Sequence, residues 1–211
     1  NTMKAHIEDG VALTKFLYWF KMNKKKITEK KIESRLEKIR KRSKNYLFPS
    51  FDTIAGSGPN GAIIHYKSNS LTNRTLKKND ILLLDSGGQY KWGTTDVTRT
   101  TCIGKISKEV KNNFTRVLKG HIAVVTCDLS KKFNGHLIDK LARKPLKDIG
   151  KNYSHGTGHG VGFFLNVHEG PQSISKYNWV RLKEGMILSN EPGFYLKNKY
   201  GIRIENLIYV K

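Results

Sequence analysis

The stretch DSGGQYKWGTTDVTRT, at residues 85–100 of this 211-residue chain, follows the apolar run ILLL at 81–84. The apolar run predicts a buried strand that ends at Asp85. Eleven positions later, after the polar turn at 93–95, Asp96 begins a second predicted strand. A hairpin of this length would bring the two carboxylates side by side.

Two carboxylates in contact disfavour joint ionisation, so they need a shared proton or a bound cation. Taken alone, Asp85 is more typical of a turn cap, because Ser86-Gly87-Gly88 follows it. The pair of aspartates therefore indicates a cation site only if the rest of the chain supplies further ligands.

Three histidines lie within fourteen residues of glycine-rich chain in the second half of the sequence. His155 and His159 are four apart in HGTGHGVG, and His168 belongs to NVHEGP. A single histidine is more often structural than a ligand. Three of them among glycines, which allow close approach of the backbone to a ligand, favour a functional site.

Two glutamates near the end of the chain complete the candidate set. Glu191 follows a predicted strand at 186–189. Arg203 and Glu205 share one face of the last predicted strand, although an ordinary half-exposed strand would show the same pattern. One imidazole and four carboxylates are too many for a single catalytic zinc, but they suit two divalent ions about 3.5–4 Å apart. The candidate ligands are Asp85, Asp96, His159, Glu191 and Glu205.

The chain is strongly basic, with 39 Lys plus Arg against 17 Asp plus Glu and a formal net charge of +22. Such a charge first indicates a polyanionic partner. The densest basic run, at 21–44, instead predicts an amphipathic helix with a solvated outer face, and no aromatic residues are interleaved with its bases. We therefore predict no nucleic-acid partner.

No apolar stretch approaches the ~20 residues of a membrane span, so no membrane association is predicted. Only two cysteines are present, Cys102 and Cys127, which favours a reducing, cytoplasmic location.

The periodicities predict a single α+β domain. Helices are predicted at residues 1–20, 28–43, 107–127 and from 135 onward. Strands are predicted at 62–66, 81–85, 186–189 and 201–210, besides a hairpin between 89–92 and 96–104. The segment GSGPNG at 56–61 matches a nucleotide-binding pattern, but β-branched residues rather than a helix follow it, so we predict a turn.

The order of the five candidate ligands resembles that of the metal-dependent "pita-bread" peptidases, which include methionine aminopeptidase, prolidase and aminopeptidase P. Six collinear motifs are similar to the cytosolic eukaryotic Xaa-Pro aminopeptidases: GPNGAIIHY from residue 58, the stretch at 85–100, HGTGHGVG from 155, NVHEGP from 166, NEPGFY from 190 and GIRIEN from 201. The resemblance implies the pita-bread fold, a curved antiparallel sheet with helices on its outer face.

The resemblance also implies roles for the ligands. Asp85 would chelate one ion, Asp96 and Glu205 would bridge two ions, and His159 and Glu191 would complete the second site. The ions are expected to be Mn, with Zn or Co as alternatives. A hydroxide bridging the metals would attack the bond between an N-terminal residue and a following proline, and Glu191 would exchange its proton.

Further residues around the ligands acquire roles from the same resemblance. His65, His155 and His168 would line the substrate site and, with Glu191, assist catalysis. His159 would also contact the substrate, a peptide with proline in second position. Arg203 would orient the bridging carboxylates from behind them.

Two features depart from the family pattern. Trp92 stands in the turn where the family has Asp, so any hydrogen bond accepted by that Asp would be lost. Such peptidases also carry two further N-terminal domains and a C-terminal extension. Residues 1–211 are therefore predicted to be an incomplete catalytic domain, and a homodimer is implied for the full-length protein.

Two other functions remain open from the sequence. A prolidase-like dipeptidase would use the same ligands on dipeptides only. A pita-bread protein without catalysis would instead bind proteins or nucleic acid.

Overall fold

The computed structural model of the chain describes residues 1–23, 26–131 and 133–211. Two helices begin it, α1 (Thr2–Met22) and α2 (Glu29–Arg40). Thr28 accepts a hydrogen bond from the backbone N–H of Lys31 and so caps α2. Within the basic run at 21–44, residues 24 and 25 lie outside the described residues, and α2 ends at Arg40.

Two more helices, α3 (Lys108–Val125) and α4 (Gly135–Lys147), pack against each other. Ser107 caps α3 by accepting from the N–H of Val110, and Asn134 caps α4 by accepting from Leu137. Both predicted helices are confirmed. No helix of the described residues is long and apolar enough to cross a bilayer.

The strands form small sheets in which every pairing between named strands is antiparallel. In chain order they are β1 (Tyr46–Pro49), β2 (Ile54–Ser57), β3 (Ile81–Ser86), β4 (Gly88–Tyr90), β5 (Gly93–Thr94), β6 (Val97–Cys102), β7 (Gly158–His159), β8 (Ser173–Ile174), β9 (Ile187–Asn190), β10 (Gly193–Leu196), β11 (Tyr200–Arg203) and β12 (Asn206–Tyr209). The sheet orders are β2-β3-β6, β1-β4-β5, β9-β12, β10-β11 and β7-β8.

The central strand β3 is buried along its whole length and joins two regions of the core. Leu82 and Leu84 pack in a cluster with Phe16 of α1 and with residues of α2, whereas Ile81 belongs to a cluster with α3 and β11. A strand that is buried on both faces is expected to be apolar throughout, which is the pattern of the ILLL run.

The predicted hairpin between 89–92 and 96–104 is wrong. β6 pairs with β3, whereas β4 pairs with β5 in a separate small sheet. Because β3 is buried, both of its edges need partners, and β2 and β6 supply them. The β3–β6 register sets Asp85 opposite Thr98 and Ser86 opposite Val97, so Asp85 still ends near Asp96.

The predicted strand at 62–66 is also wrong, because a short 3₁₀ helix, Gly58–Ala62, occupies its beginning. Gly61 packs so closely on the backbone of Gly56 and Gly201 that a Cβ atom there would lie 3.0 Å from the carbonyl oxygen of Gly56. This close backbone packing replaces strand pairing. No α-helix follows the glycines, so the segment does not have the context of a nucleotide site.

The last predicted strand, at 201–210, is two strands. β11 pairs with β10 and β12 pairs with β9, and the chain changes sheets at Ile204 and Glu205. The backbone N–H of Glu205 donates to the carbonyl of Thr98 at 3.3 Å, which fixes the break beside β6.

Candidate metal centre

The ends of several strands meet at one cavity of about 460 Å³. Asp85 lies near the end of β3, Asp96 directly precedes β6, and His159 ends β7. Glu191 directly follows β9, and Glu205 lies between β11 and β12. All five predicted ligands line this cavity, so the structure brings together residues that are up to 120 positions apart in the sequence.

The imidazole of His159 lies among the carboxylates. Its Nε2 atom is 3.4 Å from Asp96 Oδ2 and 3.3 Å from Glu191 Oε1. One potential ligand atom from each of Asp96, His159 and Glu205 lies within 4.8 Å of the others. These separations are within the reach of a shared cation.

The carboxylates are buried and repel one another. Burial raises the pKa of Glu205 well above its ordinary value, and the charges of Asp96, Glu191 and Asp85 add to this effect. Burial also raises the pKa of Asp85, although Arg203 opposes the rise. The pKa of Glu191 rises to about 7 through burial, against the opposing effect of His159.

The donor set fits divalent cations. Asp85 Oδ1 is buried and has no hydrogen-bond partner among the described residues, which is costly for a carboxylate oxygen without a cation. Four carboxylates with one imidazole are ligands that borderline and hard divalent ions accept. We conclude that these residues could hold two such ions.

Arg203 lies directly behind the carboxylates and is almost fully buried. Its Nη2 atom donates to Asp85 Oδ2 at 2.7 Å, its Nη1 atom to the Tyr195 hydroxyl at 2.6 Å, and its Nε atom to Thr98 Oγ1 at 3.3 Å. The Thr98 hydroxyl in turn donates to Glu205 Oε2 at 2.6 Å. Arg203 thus orients Asp85 directly and Glu205 through Thr98.

His159 is held so that Nε2 points at the carboxylates. Its Nδ1 atom is 2.9 Å from the carbonyl oxygen of Gly160, which can only accept, so Nδ1 donates and Nε2 is the nitrogen that faces the carboxylates. Although burial opposes the shift, Asp96 and Glu191 raise the pKa of His159. The backbone N–H of His159 donates to Ser189 Oγ at 2.9 Å, and the Ser189 hydroxyl donates to Glu191 Oε1 at 2.9 Å. Ser189 therefore couples the two predicted ligands of one ion.

The three other predicted histidines line the same cavity. His65 is exposed on its wall, and the ring of His168 lies 4.0 Å from the ring of His159. His155 Nε2 is 2.9 Å from the Tyr195 hydroxyl, and its Nδ1 is 2.6 Å from the carbonyl of Gly156. Burial, together with Arg203, lowers the pKa of His155 to about 3, so this ring is neutral.

Three residues of the site were not predicted: Thr98, Ser189 and Tyr195. Thr98 shares a strand face with Asp96, and Tyr195 belongs to the NEPGFY motif, so both had a signal in the sequence. Ser189 had none, because its contacts depend on how β7 and β9 meet.

Trp92 anchors the turn between Asp85 and Asp96 to helix α1. Its Nε1–H donates to Glu8 Oε1 of α1 at 2.9 Å, and Lys4 lies 5.8 Å from its ring centroid. The indole N–H of Trp92 thus has its own partner on α1.

A cluster of four carboxylates and one histidine in a pita-bread arrangement of strands defines a metallopeptidase. The chain belongs to metallopeptidase family M24, whose profile matches residues 1–211. The predicted fold and family are confirmed.

The relatives in sequence are named as aminopeptidases. The chain is 47% identical to a probable Xaa-Pro aminopeptidase P of Laccaria bicolor over 99% of its own length and 33% of that protein. It is also 47% identical to aminopeptidase P2 of Arabidopsis thaliana, over 98% of this chain and 30% of the relative. The chain thus spans about a third of the length of these relatives.

Solved structures match nearly the whole chain, and their names include both an aminopeptidase and a dipeptidase. The X-prolyl aminopeptidase of Caenorhabditis elegans, described as a cytosolic enzyme with a di-nuclear active site, matches with a TM-score of 0.91 and 41% identity, over 98% of this chain and 34% of that one. A Xaa-Pro dipeptidase from Bacillus anthracis matches with a TM-score of 0.87 and 27% identity, over 99% of this chain and 56% of that one.

Proposed function

We propose that residues 1–211 form the catalytic domain of a Xaa-Pro aminopeptidase, which hydrolyses the bond between an N-terminal residue and a following proline. The observation that carries this proposal is the convergence of the five candidate ligands in one cavity, where Asp85 Oδ1 is buried and has no hydrogen-bond partner among the described residues. The names of the relatives supply the substrate class. A cytoplasmic location is supported by the cytosolic Caenorhabditis elegans enzyme.

The proposed ligand assignment follows the family resemblance, and the convergence of the five side chains in one cavity supports it. Asp85 would bind one ion, and Asp96 and Glu205 would bind both. His159 and Glu191, which Ser189 couples, would complete the second ion's ligands. The oxygen-rich set favours Mn, with Zn or Co as alternatives.

Two bound ions would lower the pKa of water and polarise the scissile carbonyl group. Glu191, which lines the cavity and whose Oε1 atom accepts from Ser189, would take up and return a proton. His65 and His168 would hold the substrate's carbonyl oxygens from the cavity wall. His155 orients the Tyr195 hydroxyl, which accepts from Arg203.

Substrate selection would follow from the charge and the lining of the cavity. Four carboxylates against two divalent ions leave no excess positive charge, so a free amino terminus is tolerated close to the ions. Apolar side chains on the wall would exclude water from the peptide: Phe51, Ile54, Ile64 and Val167.

The test is hydrolysis of an Arg-Pro-Pro peptide by the full-length protein loaded with Mn. We expect release of the N-terminal arginine, and we expect no release after chelation. A protein that binds two ions but releases no amino acid from this peptide would contradict the proposed function.

A second candidate is a dipeptidase, which the structural similarity to the Xaa-Pro dipeptidase of Bacillus anthracis favours. The two activities differ in the length of the substrate. A dipeptidase would cleave Arg-Pro and leave Arg-Pro-Pro intact, whereas an aminopeptidase cleaves the tripeptide.

A further inference from the structure

Helix α4 carries a buried ion pair close to the proposed site. Asp139 and Arg143 are four residues apart, 1% and 7% exposed respectively, and the Nε atom of Arg143 donates to Asp139 Oδ2 at 2.7 Å. A buried ion pair is costly to desolvate and is retained only where its remaining hydrogen-bonding groups are satisfied. The partners of those groups therefore show what the pair does.

The remaining nitrogens of Arg143 all donate to the loop that precedes β7. Nη1 donates to the side-chain oxygen of Asn152 at 2.9 Å and to the carbonyl oxygen of Tyr153 at 2.7 Å. Nη2 donates to the carbonyl oxygen of His155 at 2.6 Å, and the guanidinium lies 4.0 Å from the centre of the Tyr153 ring. One rigid side chain thus fixes a loop that has no regular structure.

Asp139 holds the next part of the same loop. Its Oδ1 atom accepts from the Thr157 hydroxyl at 2.7 Å. Since that hydroxyl has a single proton, the Tyr153 hydroxyl, 2.5 Å away, donates to Thr157 Oγ1. Thr157 is completely buried, so water does not compete for these contacts.

Thr157 connects this network to the other side of the metal centre. Its carbonyl oxygen accepts from the backbone N–H of Glu191 at 2.8 Å. The loop held by α4 therefore carries His155 and His159 and also fixes the backbone of Glu191.

We propose that the Asp139–Arg143 pair with Thr157, which we name the α4 clamp, positions His155, His159 and Glu191 relative to one another. None of the three clamp residues is among those that line the cavity, so they are positioning residues. The inference rests on the proposed function for its kinetic readout, but metal affinity provides a second readout that needs no hydrolysis.

A second ion pair on the same helix provides the control. Lys144 and Asp148 are also four residues apart and oppositely charged, with a closest N–O distance of 3.0 Å. Both side chains are exposed, and their hydrogen bonds among the described residues join them to each other and not to the loop. Lys144→Gln should leave both readouts unchanged, because an exposed pair contributes little.

The decisive variant is Thr157→Val, in full-length protein. It preserves the size and branching of the side chain and removes only the hydroxyl that joins Asp139 to the loop. Arg143→Met would leave Asp139 buried and unpaired, and the resulting loss of stability would mask any effect on the positions of the ligands.

Two controls accompany this variant. Thr157→Ser retains the hydroxyl and should retain the kcat and metal affinity that Thr157→Val loses. Ile138→Val, a buried α4 residue in a separate apolar cluster, controls for lost stability.

Two measurements, both made well below the melting temperatures, test the clamp. Hydrolysis of Arg-Pro-Pro at saturating Mn gives kcat and KM, and titration calorimetry with Mn alone gives the metal affinity. We expect Thr157→Val to lose about tenfold in kcat with little change in KM, or about tenfold in metal affinity, since residues that orient ligands contribute about 10–100-fold. Thr157→Ser and Ile138→Val should stay within about twofold of the wild type on the same scale.

Two results would overturn the clamp. One is a Thr157→Val variant that matches the wild type in both kcat and metal affinity. The other is an Ile138→Val variant that has the same melting temperature as Thr157→Val and loses as much kcat or metal affinity. If the wild type binds metal but hydrolyses nothing, the proposed function fails and the calorimetric comparison alone decides on the clamp.

Discussion

Arg203 binds only one of the two carboxylate oxygens of Asp85. Its Nη2 atom donates to Oδ2 at 2.7 Å, whereas Oδ1 has no partner among the described residues. The arginine therefore neutralises and orients the carboxylate from β11 and leaves the other oxygen available to a cation. A carboxylate shared in this way between an arginine and a cation would account for the burial of both residues, which lie on the contacting strands β3 and β11.

Replacement of Arg203 by methionine should therefore destabilise the metal-free protein strongly. Breaking a buried ion pair by removing one partner costs about 3–5 kcal/mol, because the other charge stays buried. Metal should recover part of this loss, since a cation would then neutralise Asp85. Urea unfolding of Arg203→Met and the wild type, each in chelator and in Mn, measures both effects.

The pair formed by Arg74 and Asp80 provides the comparison. Its shortest N–O distance is also 2.7 Å, but neither residue lines the metal centre. Arg74→Met should lose stability by the same amount in chelator and in Mn. If Arg203→Met also lost the same free energy of unfolding in chelator and in Mn, the interaction of Arg203 with Asp85 would be unrelated to metal binding.

Replacement of Asp96 by asparagine should abolish activity with little change in fold. Asn is nearly isosteric with Asp, but its neutral amide is a poor ligand for a shared divalent ion. We expect a loss of at least about 100-fold in kcat/KM and fewer than two bound ions per chain. The measurements are hydrolysis of Arg-Pro-Pro and metal content after dialysis.

Asp52→Asn is the matched control for Asp96→Asn. Asp52 lines the same cavity, but it is exposed and paired with Lys67. Full activity of Asp96→Asn would show that this carboxylate is not a ligand, and an equal loss in Asp52→Asn would show that any acid in the cavity matters.

The metal-ligand candidates were recognisable because each lies at or beside the end of a strand in a distinctive setting. Asp85 ends an apolar run, and Glu191 precedes Pro192-Gly193, so a local signal marks each residue. Their convergence does not follow from local pattern, because it depends on antiparallel pairing between strands that are far apart in the sequence. The family resemblance supplied that long-range information.

The errors have one physical cause, which is tertiary packing that overrides local propensity. Residues 62–66 are β-branched and aromatic enough to predict a strand, but the close approach of Gly61 to Gly56 and Gly201 imposes a 3₁₀ turn. The predicted hairpin would leave one edge of β3 without a partner, whereas β6 pairs with that edge. The α4 clamp was invisible for the same reason, since Asp139 and Arg143 resemble an ordinary helical ion pair in sequence.

Replacement of Trp92 by phenylalanine should weaken the fold slightly and leave catalysis unchanged. The variant keeps an aromatic ring but loses the hydrogen bond to Glu8, which also accepts from Ser43 and Asn45. A hydrogen bond to a charged group contributes about 1.5–3 kcal/mol, and partial exposure places this one at the lower end. Thermal unfolding measures the loss.

The same Trp92→Phe protein should retain the wild-type kcat/KM at saturating Mn, because the contact lies on α1 and not in the cavity. A large fall in kcat/KM with unchanged stability would mean that the turn between Asp85 and Asp96 depends on this indole for the geometry of the ligands.

Metal should raise the melting temperature, because the metal-free centre holds four mutually repelling carboxylates. Ligand at a hundred times its dissociation constant stabilises the folded state by about 2.7 kcal/mol, which corresponds to roughly 5–10 °C for a chain of this size. Burial and the charges of Asp96, Glu191 and Asp85 raise the pKa of Glu205 and so oppose its ionisation in the metal-free protein. Glu205→Gln imitates the neutral form, so this variant should melt at least as high as the wild type in chelator and respond less to Mn. Calorimetric scans of both proteins, with and without Mn, test the two expectations together. A wild type that shows no rise with Mn, or a variant that melts lower in chelator, would contradict a carboxylate cluster held together by cations.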